Sequence, residues 1–425
     1  ERAPLGPRGW GSGGVEFLRA VYPGGRDTGG SPRRPQVGWL SREIGARRFS
    51  LVLSAVYGHP RPSLDLRLML KGGDDGCVRI CATGEVRRTF ATNRTGLCVL
   101  HPAEVAGRAC RLEHTDGSVE FSRLPQAVSP HQPFQRLRAI AHRSVAGRVE
   151  VRMEGDTFET EDQRNWTDAS FKTYSRPLAE PFPYTLRRGA RVEQSVVVRC
   201  TGHARRRPAR APQPEPVALK LSGIWRKPLS LGVGLTHRNS LPKALARRLD
   251  DLGLGHFRAE LDVSSPDCVA EWSLIVTRMK VFRPGTALAR TLLIPSSGGK
   301  LTELVRGIAA APAPFPVRWT VLDRDTGTTT ATTFCRVASL WTRHHLPGLL
   351  GGGVRGDFVG LNRHRPLIAG MEFACFGFDP QVHAFDDASV LETTTVHAEL
   401  VRQASRLLGG LPIAVEPVTL GVPRE

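Results

Sequence analysis

The sequence lacks several features that would place it in a familiar class of protein. No run of about 18 apolar residues occurs, so no membrane partner and no membrane-spanning helix are expected. A Gly-x-Ser-x-Gly turn and a Gly-rich segment followed by Lys-Ser/Thr are both absent, which argues against a serine-triad hydrolase and a phosphate-binding loop. The segment Glu1–Gly14 lacks an initiator Met and an apolar signal core, so we expect a fragment and leave open a lost signal peptide.

Paired cysteine motifs are also missing. The eight cysteines are dispersed, no Cys-x-x-Cys occurs, and no His completes a zinc-ligand spacing. Cys77 and Cys81 have no matching second pair, which favours core or turn positions over a metal site. We therefore expect reduced cysteines in a reducing compartment, a cytoplasmic location, and neither a metal nor another cofactor.

Lysine is scarce in an otherwise basic chain. The formal net charge is +19, but only seven of the 59 basic residues are Lys. Such a charge ordinarily suggests nucleic acid or an anionic surface. The arginines are nevertheless scattered, apart from Arg205–Arg207 and Arg210, and with the many Ala, Gly and Pro residues they indicate a GC-rich genome. We expect no nucleic-acid partner, and the sequence leaves the oligomeric state open.

The first 200 residues read as strands and turns. Ser50–Tyr57 is a short apolar run, and Leu64–Leu70 and Arg148–Met153 alternate between apolar and polar residues. Clusters such as Gly72–Gly76 supply turns between these segments. Regular short strands with intervening turns predict a β-sandwich over residues 1–200.

The rest of the chain changes character after a Pro- and Arg-rich stretch, residues 201–216, which is predicted to be a linker. Beyond it, helical and strand patterns alternate, which predicts a TIM-like, glycoside-hydrolase-like α/β barrel over residues 217–425. A segment of this length is at the low limit for that fold, so a complete and an incomplete barrel both remain open. The predicted elements are the helices Leu241–Leu252 and Lys300–Ala310 and the strands His256–Val263, Pro316–Leu322, Phe358–Leu361, Met371–Phe376 and Pro412–Val415.

The densest polar cluster of the sequence is Glu159–Asp168. It offers four carboxylates, one guanidinium, two amides and an indole, and Lys172 and Tyr174 follow closely. Carboxylates beside Arg can stay ionised, and flat rings with polar tips suit a sugar. The same composition is compatible with a solvated loop that contains a capping Asp and a structural salt bridge, so both interpretations stay open.

A second cluster contains His383, followed by Asp386, Asp387 and Glu392. A His beside a carboxylate can be oriented and made more basic, and the end of a late barrel strand is where barrel enzymes place catalytic groups. Alternatively, His383 is a structural residue, and Asp387 caps a helix that starts near Val390.

Two further groups carry charge within the predicted barrel. Arg258, Glu260 and Asp262 alternate along a strand and therefore share one face. Such a face either lines a polar site or forms an internal ion-pair layer, because unpaired buried charges are costly. Asn362 and Arg363 follow a predicted strand and are candidates for binding ring hydroxyls or a developing oxyanion.

These clusters carry a resemblance to a known family. The stretch Gly155–Tyr184, with its core Glu161–Tyr174, is similar to the signature block of D-apionate lactonases, and Pro380–Asp387 is the second strong block. The resemblance covers most of the chain and is weakest before residue 45 and between residues 263 and 350. The family pattern expects an acidic residue before Leu-Asn-Arg, where this sequence has Gly360, which puts the activity of this copy in question.

The resemblance implies a bacterial hydrolase that opens D-apionolactone to D-apionate in apiose breakdown, with a small sugar lactone as its partner. Lactone hydrolysis needs an activated water or nucleophile, oxyanion stabilisation and a proton for the leaving oxygen. The residue chemistry nominates Glu161, Asp162 or Glu260 as the base, His383 as acid or base, and Arg164, Arg363 or Asn165 for the oxyanion. The remaining expected substrate contacts are Trp166, Lys172, Tyr174, Arg258, Asn362 and Asp386.

Other functions remain open. The predicted architecture also suits a glycoside hydrolase with two carboxylates, for example Glu260 with Glu372 or Asp386. A third possibility is a non-catalytic carbohydrate-binding protein or a decayed copy. We further hypothesise that the two signature blocks meet in one pocket at the junction of sandwich and barrel, with Arg164 reaching Asp386 or Glu260.

Overall fold

The computed structural model describes residues 8–12, 15–58, 60–144, 147–201, 229–235, 242–282, 285–313, 317–383 and 386–420. The predicted linker, with Arg205–Arg207 and Arg210, lies outside the described residues apart from Thr201. The chain divides into two compact units. The first comprises Glu1–Glu215 and Pro380–Val396, and the second comprises Pro216–Asp379 and His397–Glu425.

The first unit is built from β-strands. The strands, in chain order, are β1 (Arg8–Ser12), β2 (Val15–Arg26), β3 (Gln36–Ile44), β4 (Phe49–Tyr57), β5 (Leu64–Gly72), β6 (Cys77–Val86), β7 (Phe90–Thr92), β8 (Arg94–Pro102), β9 (Ala109–His114), β10 (Val119–Arg123), β11 (Phe134–Ser144), β12 (Gly147–Glu154), β13 (Phe158–Asp162), β14 (Ser170–Tyr174), β15 (Tyr184–Leu186) and β16 (Arg191–Thr201). Two short 3₁₀ helices, Ala103–Val105 and Gln163–Trp166, interrupt them.

Fourteen of these strands form one antiparallel sheet. Its order is β1-β2-β8-β14-β13-β11-β12-β16-β6-β5-β4-β3, with β9 paired to β11 and β10 paired to β9. Along β5 every second side chain is buried, because alternate residues of a strand point to opposite faces. Leu18 and Val99 share one buried apolar cluster with Leu66 and Ile80, which lie far away in the strand order. The sheet therefore packs against itself, as predicted for a β-sandwich.

The second unit alternates strands with helices. Its strands are β17 (Gly232–Gly234), β18 (His256–Asp262), β19 (Ala287–Ile294), β20 (Val317–Asp323), β21 (Leu349–Asp357), β22 (Ala374–Phe378) and β23 (Ile413–Val418). The helices of the chain are α1 (Lys243–Asp251), α2 (Cys268–Met279), α3 (Leu301–Ala310), α4 (Ala331–Arg343), α5 (Phe358–His364) and α6 (Asp387–Leu407). The first half of α6 belongs to the first unit.

The seven strands of the second unit are parallel and follow one another in chain order. This is the strand arrangement of a TIM-type barrel, which the sequence predicted. In the part of the chain that the structure describes, no ladder joins β17 to β23, so the barrel is nearly closed and has seven strands where a complete one has eight. Helix α3 buries one apolar stripe, formed by Leu301, Leu304, Val305 and Ile308.

One predicted element of the barrel is wrong. The segment Phe358–Leu361 was expected to be a strand but belongs to helix α5. Phe358, Leu361 and Asn362 are buried, which is the spacing of a helical face, and a four-residue apolar run does not distinguish the two structures. The strand predicted at 371–376 is β22, which begins at Ala374 and ends at Phe378.

Candidate active site

Strands β13 and β14 carry charged side chains and a Tyr on one face, whereas the other face combines Phe158 and Phe171 with buried polar residues such as Thr160 and Thr173. Glu161 is directly opposite Lys172 in this antiparallel pair, and Glu159 is opposite Tyr174. These four side chains share a face because they alternate with Phe158 and the other residues that enter the apolar core. All four are buried. Buried polar groups need partners, so this polar face must form an internal network.

Glu161 lies between two cations. Its Oε1 is 3.4 Å from Nζ of Lys172 on β14, and its Oε2 is 3.9 Å from Nη1 of Arg94 on β8, the strand on the other side of β14. Burial opposes ionisation of this carboxyl, but the charges of Lys172 and Arg94, together with that of Arg26, outweigh it and lower the pKa of Glu161. Glu161 is therefore an ionised carboxylate at neutral pH.

Tyr174 contacts both cations of this network and also Glu159. The guanidinium carbon of Arg94 is 4.2 Å from the centre of the Tyr174 ring, and Nζ of Lys172 is 5.4 Å from it. The Tyr174 hydroxyl donates to Oε1 of Glu159, which also accepts the backbone N–H of Leu178 at 2.8 Å. Burial raises the pKa of Glu159, opposite in direction to the shift at Glu161.

A histidine from the second signature block lies beside this network. Nδ1 of His383 is hydrogen-bonded to Oδ2 of Asp168, a residue 215 positions away in the sequence. The Trp166 ring contacts the His383 ring edge-on, with the ring centres 6.0 Å apart. The side chains of His383 and Asp168 keep 14% and 13% exposure, so solvent reaches a dyad that borders a buried charge network. The structure thus brings the two signature blocks together within the first unit.

Asp162, Arg164 and Asn165 form a separate network that fixes the loop before Asp168. Nε and Nη2 of Arg164 donate to the two carboxylate oxygens of Asp162 at 2.8 and 2.7 Å. Arg164 also donates to the backbone carbonyls of Pro125 and Gln126. The side-chain amide of Asn165 donates to the carbonyl of Asp162 at 3.1 Å. The capping Asp and the salt bridge of the structural interpretation are therefore present, whereas the loop is buried and not solvated as that interpretation had it.

The partner of Arg164 differs from the expected one. A carboxylate such as Asp386 or Glu260 was expected, whereas Arg164 pairs with Asp162. Asp386 instead caps helix α6, because its carboxylate accepts the backbone N–H and the hydroxyl of Ser389 at 3.0 and 2.7 Å. The sequence suggested Asp387 as the cap, but the capping residue is Asp386, the residue before it.

The barrel charges form ion pairs along one face of β18. Glu260 accepts from Arg258 at 2.7 Å and from Arg355 at 2.9 Å, and Asp262 lies 3.0 Å from Nε of Arg324. Burial opposes ionisation of Glu260, but Arg258 and Arg355 outweigh it and lower its pKa. These side chains are partly exposed, so the ion pairs do not form a fully internal layer.

The remaining barrel residues that were predicted to bind substrate or to act in catalysis are on helix α5 and just before β22. Asn362 is buried in helix α5, and Arg363 is exposed on it. Glu372, a candidate partner of Glu260 in a glycosidase pair, accepts the backbone N–H of Leu350 at 2.7 Å. Glu372 therefore makes a structural hydrogen bond to the backbone. Substrate binding by Asn362 or Arg363 stays a prediction.

Sequence reasoning missed three residues of the polar face as site residues. Asp168 and Glu159 were noticed only as members of a charged cluster, and Arg94 was not singled out. The spacing of Glu159 and Glu161 on a strand was a usable signal, because alternate residues share a face. No local pattern indicates Arg94 or the contact of Asp168 with His383, since both depend on strand order and tertiary structure.

The described residues form neither a metal-binding cluster nor a membrane-spanning helix. Within the described ranges, no three His, Cys, Asp or Glu side chains come together in a group that could hold a metal ion. No helix in the same part of the chain is both long and apolar enough to cross a membrane. The eight cysteines are all free thiols.

Comparisons with known proteins agree with the resemblance seen in the sequence. Residues 10–203 match the family described as the N-terminal domain of D-apionate lactonase, and residues 231–424 match its TIM barrel domain. A D-apionate lactonase of Brucella anthropi is 29% identical over 452 residues, covering 96% of this chain and 69% of that protein. The chain belongs to the D-apionate lactonase family.

Solved structures resemble this chain only weakly. A GalM/aldose epimerase homologue from C. elegans gives a TM-score of 0.26 at 11% identity, covering 38% of this chain and 68% of that one. An alpha-N-acetylgalactosaminidase from Bifidobacterium bifidum gives 0.24 at 10% identity, covering 83% and 73%. These scores are too low to support an inference about fold or function.

Proposed function

We propose that this chain is a carboxylic-ester hydrolase that opens a small sugar-derived lactone, of the D-apionolactone to D-apionate type, in bacterial apiose catabolism. The family membership supports this reaction class. The observation that carries it is the polar face of the first unit, where an ionised Glu161, two cations and a solvent-accessible His383 lie together. No cofactor is required by this chemistry.

In the proposed mechanism, His383 is the base that activates water. The water oxygen attacks the lactone carbonyl carbon, and its proton passes to the imidazole. The carbonyl oxygen becomes an oxyanion, which the N–H donors of Lys172 and Arg94 stabilise. Their separations from Glu161, 3.4 and 3.9 Å, are long for charge-assisted hydrogen bonds, so donors remain available for a ligand.

Collapse of the tetrahedral intermediate completes the reaction. The carbonyl reforms, the bond to the ring oxygen breaks, and that oxygen takes the proton from His383. Glu161 holds the two cations in place, and Trp166 offers a flat surface to the sugar ring. Asp162, Arg164 and Asn165 support the loop in this mechanism and do not touch the substrate.

Hydrolysis of D-apionolactone at constant pH tests the proposal. The purified chain should release acid well above the spontaneous rate, and replacement of His383 by Gln should reduce kcat by about 10²- to 10⁴-fold, the usual contribution of general acid–base catalysis. Circular dichroism on both proteins verifies folding. A rate equal to the spontaneous one from folded protein contradicts the proposal.

A glycoside hydrolase is the second candidate, and one observation favours it. Glu159 and Glu161 share a face of β13, and their pKa values shift in opposite directions, as expected of a general acid and an ionised carboxylate. Aryl glycosides assayed beside the lactone distinguish the two functions, because a lactonase leaves the glycosidic bond intact.

We further propose the domain boundaries of the protein, its location in the cell and its lack of nucleic-acid binding. The domains are a sandwich over 1–200, a linker over 201–216 and a barrel over 217–425, and the end of β16 at Thr201 supports the first boundary. The barrel region is interrupted by Pro380–Val396, which belongs to the first compact unit. The protein acts in the cytoplasm and binds no nucleic acid. Filter binding at two salt concentrations tests the last point, because tight binding with a steep salt dependence contradicts it.

A further inference from the structure

His383 has one carboxylate partner in the geometry described above, and that partner comes from the other signature block. Asp168 follows the 3₁₀ helix Gln163–Trp166 and accepts the hydrogen of Nδ1 of His383. The acidic residues that follow His383 in sequence have other positions. Asp386 caps α6 through Ser389, and Asp387 is an exposed residue in its first turn.

We propose that Asp168 is a positioning residue for the lactonase reaction, which holds His383 in the tautomer and orientation needed to accept a proton from water. This inference rests on the proposed function. A hydrogen bond from Nδ1–H to a carboxylate places the hydrogen on Nδ1 and leaves the lone pair on Nε2. Nε2 is then the atom that takes the proton of the attacking water.

The surroundings of Asp168 favour this role over a purely structural one. Its loop is fixed on one side by the Asp162–Arg164 pair, which is buried. On the other side, the guanidinium of Arg19 donates to the backbone carbonyl of Ala169, the next residue, at 2.5 Å. The backbone that carries Asp168 is therefore held independently of His383. Its carboxylate is partly exposed and is directed at an imidazole, where a ligand can approach.

In each step of the reaction, His383 exchanges the proton, and Asp168 acts only through its hydrogen bond to His383. Nε2 removes a proton from water as the oxygen forms a bond to the carbonyl carbon. The imidazolium that results carries hydrogen on both nitrogens, and the Asp168 carboxylate stabilises its charge without being protonated. The Nε2 proton then passes to the ring oxygen as the carbon–oxygen bond breaks, which regenerates neutral His383 and releases the hydroxy acid.

Substitutions at position 168 test the proposal. Asp168→Asn keeps the size of the side chain but removes the charge, and its amide can donate to Nδ1 and so stabilise the wrong tautomer. We expect kcat to fall about 100-fold and KM to change by less than about threefold, because the interaction acts on the transition state. Asp168→Glu should recover much of the activity. Asp387→Asn removes the same charge from an exposed position near His383 and should match the parent protein.

A double substitution separates positioning from general structural damage. If Asp168 acts only through His383, then Asp168→Asn in a His383→Gln background should cost no further activity. A multiplicative loss in the double variant overturns the proposal, and so does unchanged kcat in Asp168→Asn.

Nitrogen NMR of labelled histidine provides a readout that does not need activity. The His383 resonances, assigned by their loss in His383→Gln, should report hydrogen on Nδ1 in the parent protein and a change of tautomer in Asp168→Asn. If the parent protein is inactive on lactones but the tautomer responds in this way, the proposed function fails and the positioning relationship stands. If the protein is active and the tautomer does not respond, only the inference about Asp168 fails.

Discussion

Nη1 of Arg19 on β2 lies 3.7 Å from the carboxylate of Glu392 on helix α6 and also donates to the carbonyl of Ala169. One buried guanidinium thus contacts the loop that carries Asp168 and the helix that follows His383. Arg19 therefore contacts the segments that carry Asp168 and His383, through Ala169 and Glu392.

Replacing Arg19 by Met should therefore reduce both stability and activity. The lost hydrogen bond from a charged donor to Ala169 is worth about 1.5–3 kcal/mol, and the lost ion pair with the partly exposed Glu16 adds about 1 kcal/mol or less. Misplacement of the dyad should lower kcat. Urea denaturation and lactone kinetics measure the two effects. Glu392→Gln is the matched control, because it keeps the bond to Ala169 and removes only a partly exposed ion pair worth about 1 kcal/mol or less. Equal effects of both substitutions contradict this assignment.

The buried pair of His101 and His142 should make stability depend on pH. Nδ1 of His101 lies 3.1 Å from Nε2 of His142 in the core, and burial lowers the pKa of His101 and lowers that of His142 to about 4. Both residues are neutral in the folded protein and gain protons on unfolding. Stability is therefore complete above about pH 6.5 and is lost as the pH falls toward about 4.

Between about pH 7.5 and about pH 5, His142 alone should account for about 2 kcal/mol of this loss, and the full difference of about 3 kcal/mol is reached only below about pH 4. Thermal denaturation at about pH 7.5 and about pH 5 measures it. His142→Gln removes the titrating group, so its melting temperature should depend less on pH. His114→Gln changes a histidine near the surface and serves as the control. Equal pH dependence in the parent protein and His142→Gln contradicts the prediction.

Arg290 on β19 should be a site where a substitution stabilises the protein. Its side chain is fully buried, and none of its three nitrogens has a hydrogen-bond partner among the described residues. Burial lowers the pKa of Arg290 to about 10, against the attraction of Glu271 and Glu260. Arg290→Met removes an uncompensated charge and should raise the free energy of unfolding by about 1–4 kcal/mol.

The contrasting control is Arg318→Met in the same barrel. Arg318 is bonded to the buried Glu416 at 2.5 Å, and its removal leaves that carboxylate without its cation. This change should destabilise the protein by about 3–5 kcal/mol. Urea denaturation of both variants decides the matter. Loss of stability in Arg290→Met would mean that the guanidinium has a compensating partner.

Glu161→Gln should affect stability as well as activity. It leaves Lys172 and Arg94 buried without their carboxylate, which should cost about 3–5 kcal/mol. Adding Lys172→Met removes one of the stranded charges, so the double variant should be more stable than the two single effects predict. Glu154→Gln, at an exposed strand end, should change stability by less than about 0.5 kcal/mol. If the effects of Glu161→Gln and Lys172→Met on the free energy of unfolding are additive in the double variant, the two side chains are not energetically coupled and the prediction is wrong.

The parts of the fold that the sequence predicted correctly are those with local periodicity. Leu64–Leu70 and Arg148–Met153 alternate, and both are strands with every second residue buried. Phe358–Leu361 failed because four apolar residues fit a helix as well as a strand. Pro380–Asp387 was singled out by its resemblance to the lactonase family, and the partner of His383 was sought three and four residues away, at Asp386 and Asp387.

The actual partner could not be predicted because contact across 215 residues depends on the completed fold. The same holds for Arg94, which reaches Glu161 only because β8 and β13 both flank β14. The Arg164–Asp162 pair, in contrast, was within reach of sequence reasoning. A capping Asp with a nearby Arg was one of the two interpretations offered for that cluster.

The first unit is not contiguous in the chain, since Pro380–Val396 belongs to it. A fragment that ends at Thr201 would keep all sixteen strands of the sheet unit and yet lack His383 and Glu392. A gene divided at the apparent domain boundary would therefore yield the sheet without His383, the proposed base, and with Arg19 deprived of one partner. In this chain, the barrel-coding half of the gene also encodes part of the sandwich, and exchange of domains between relatives would have to preserve both.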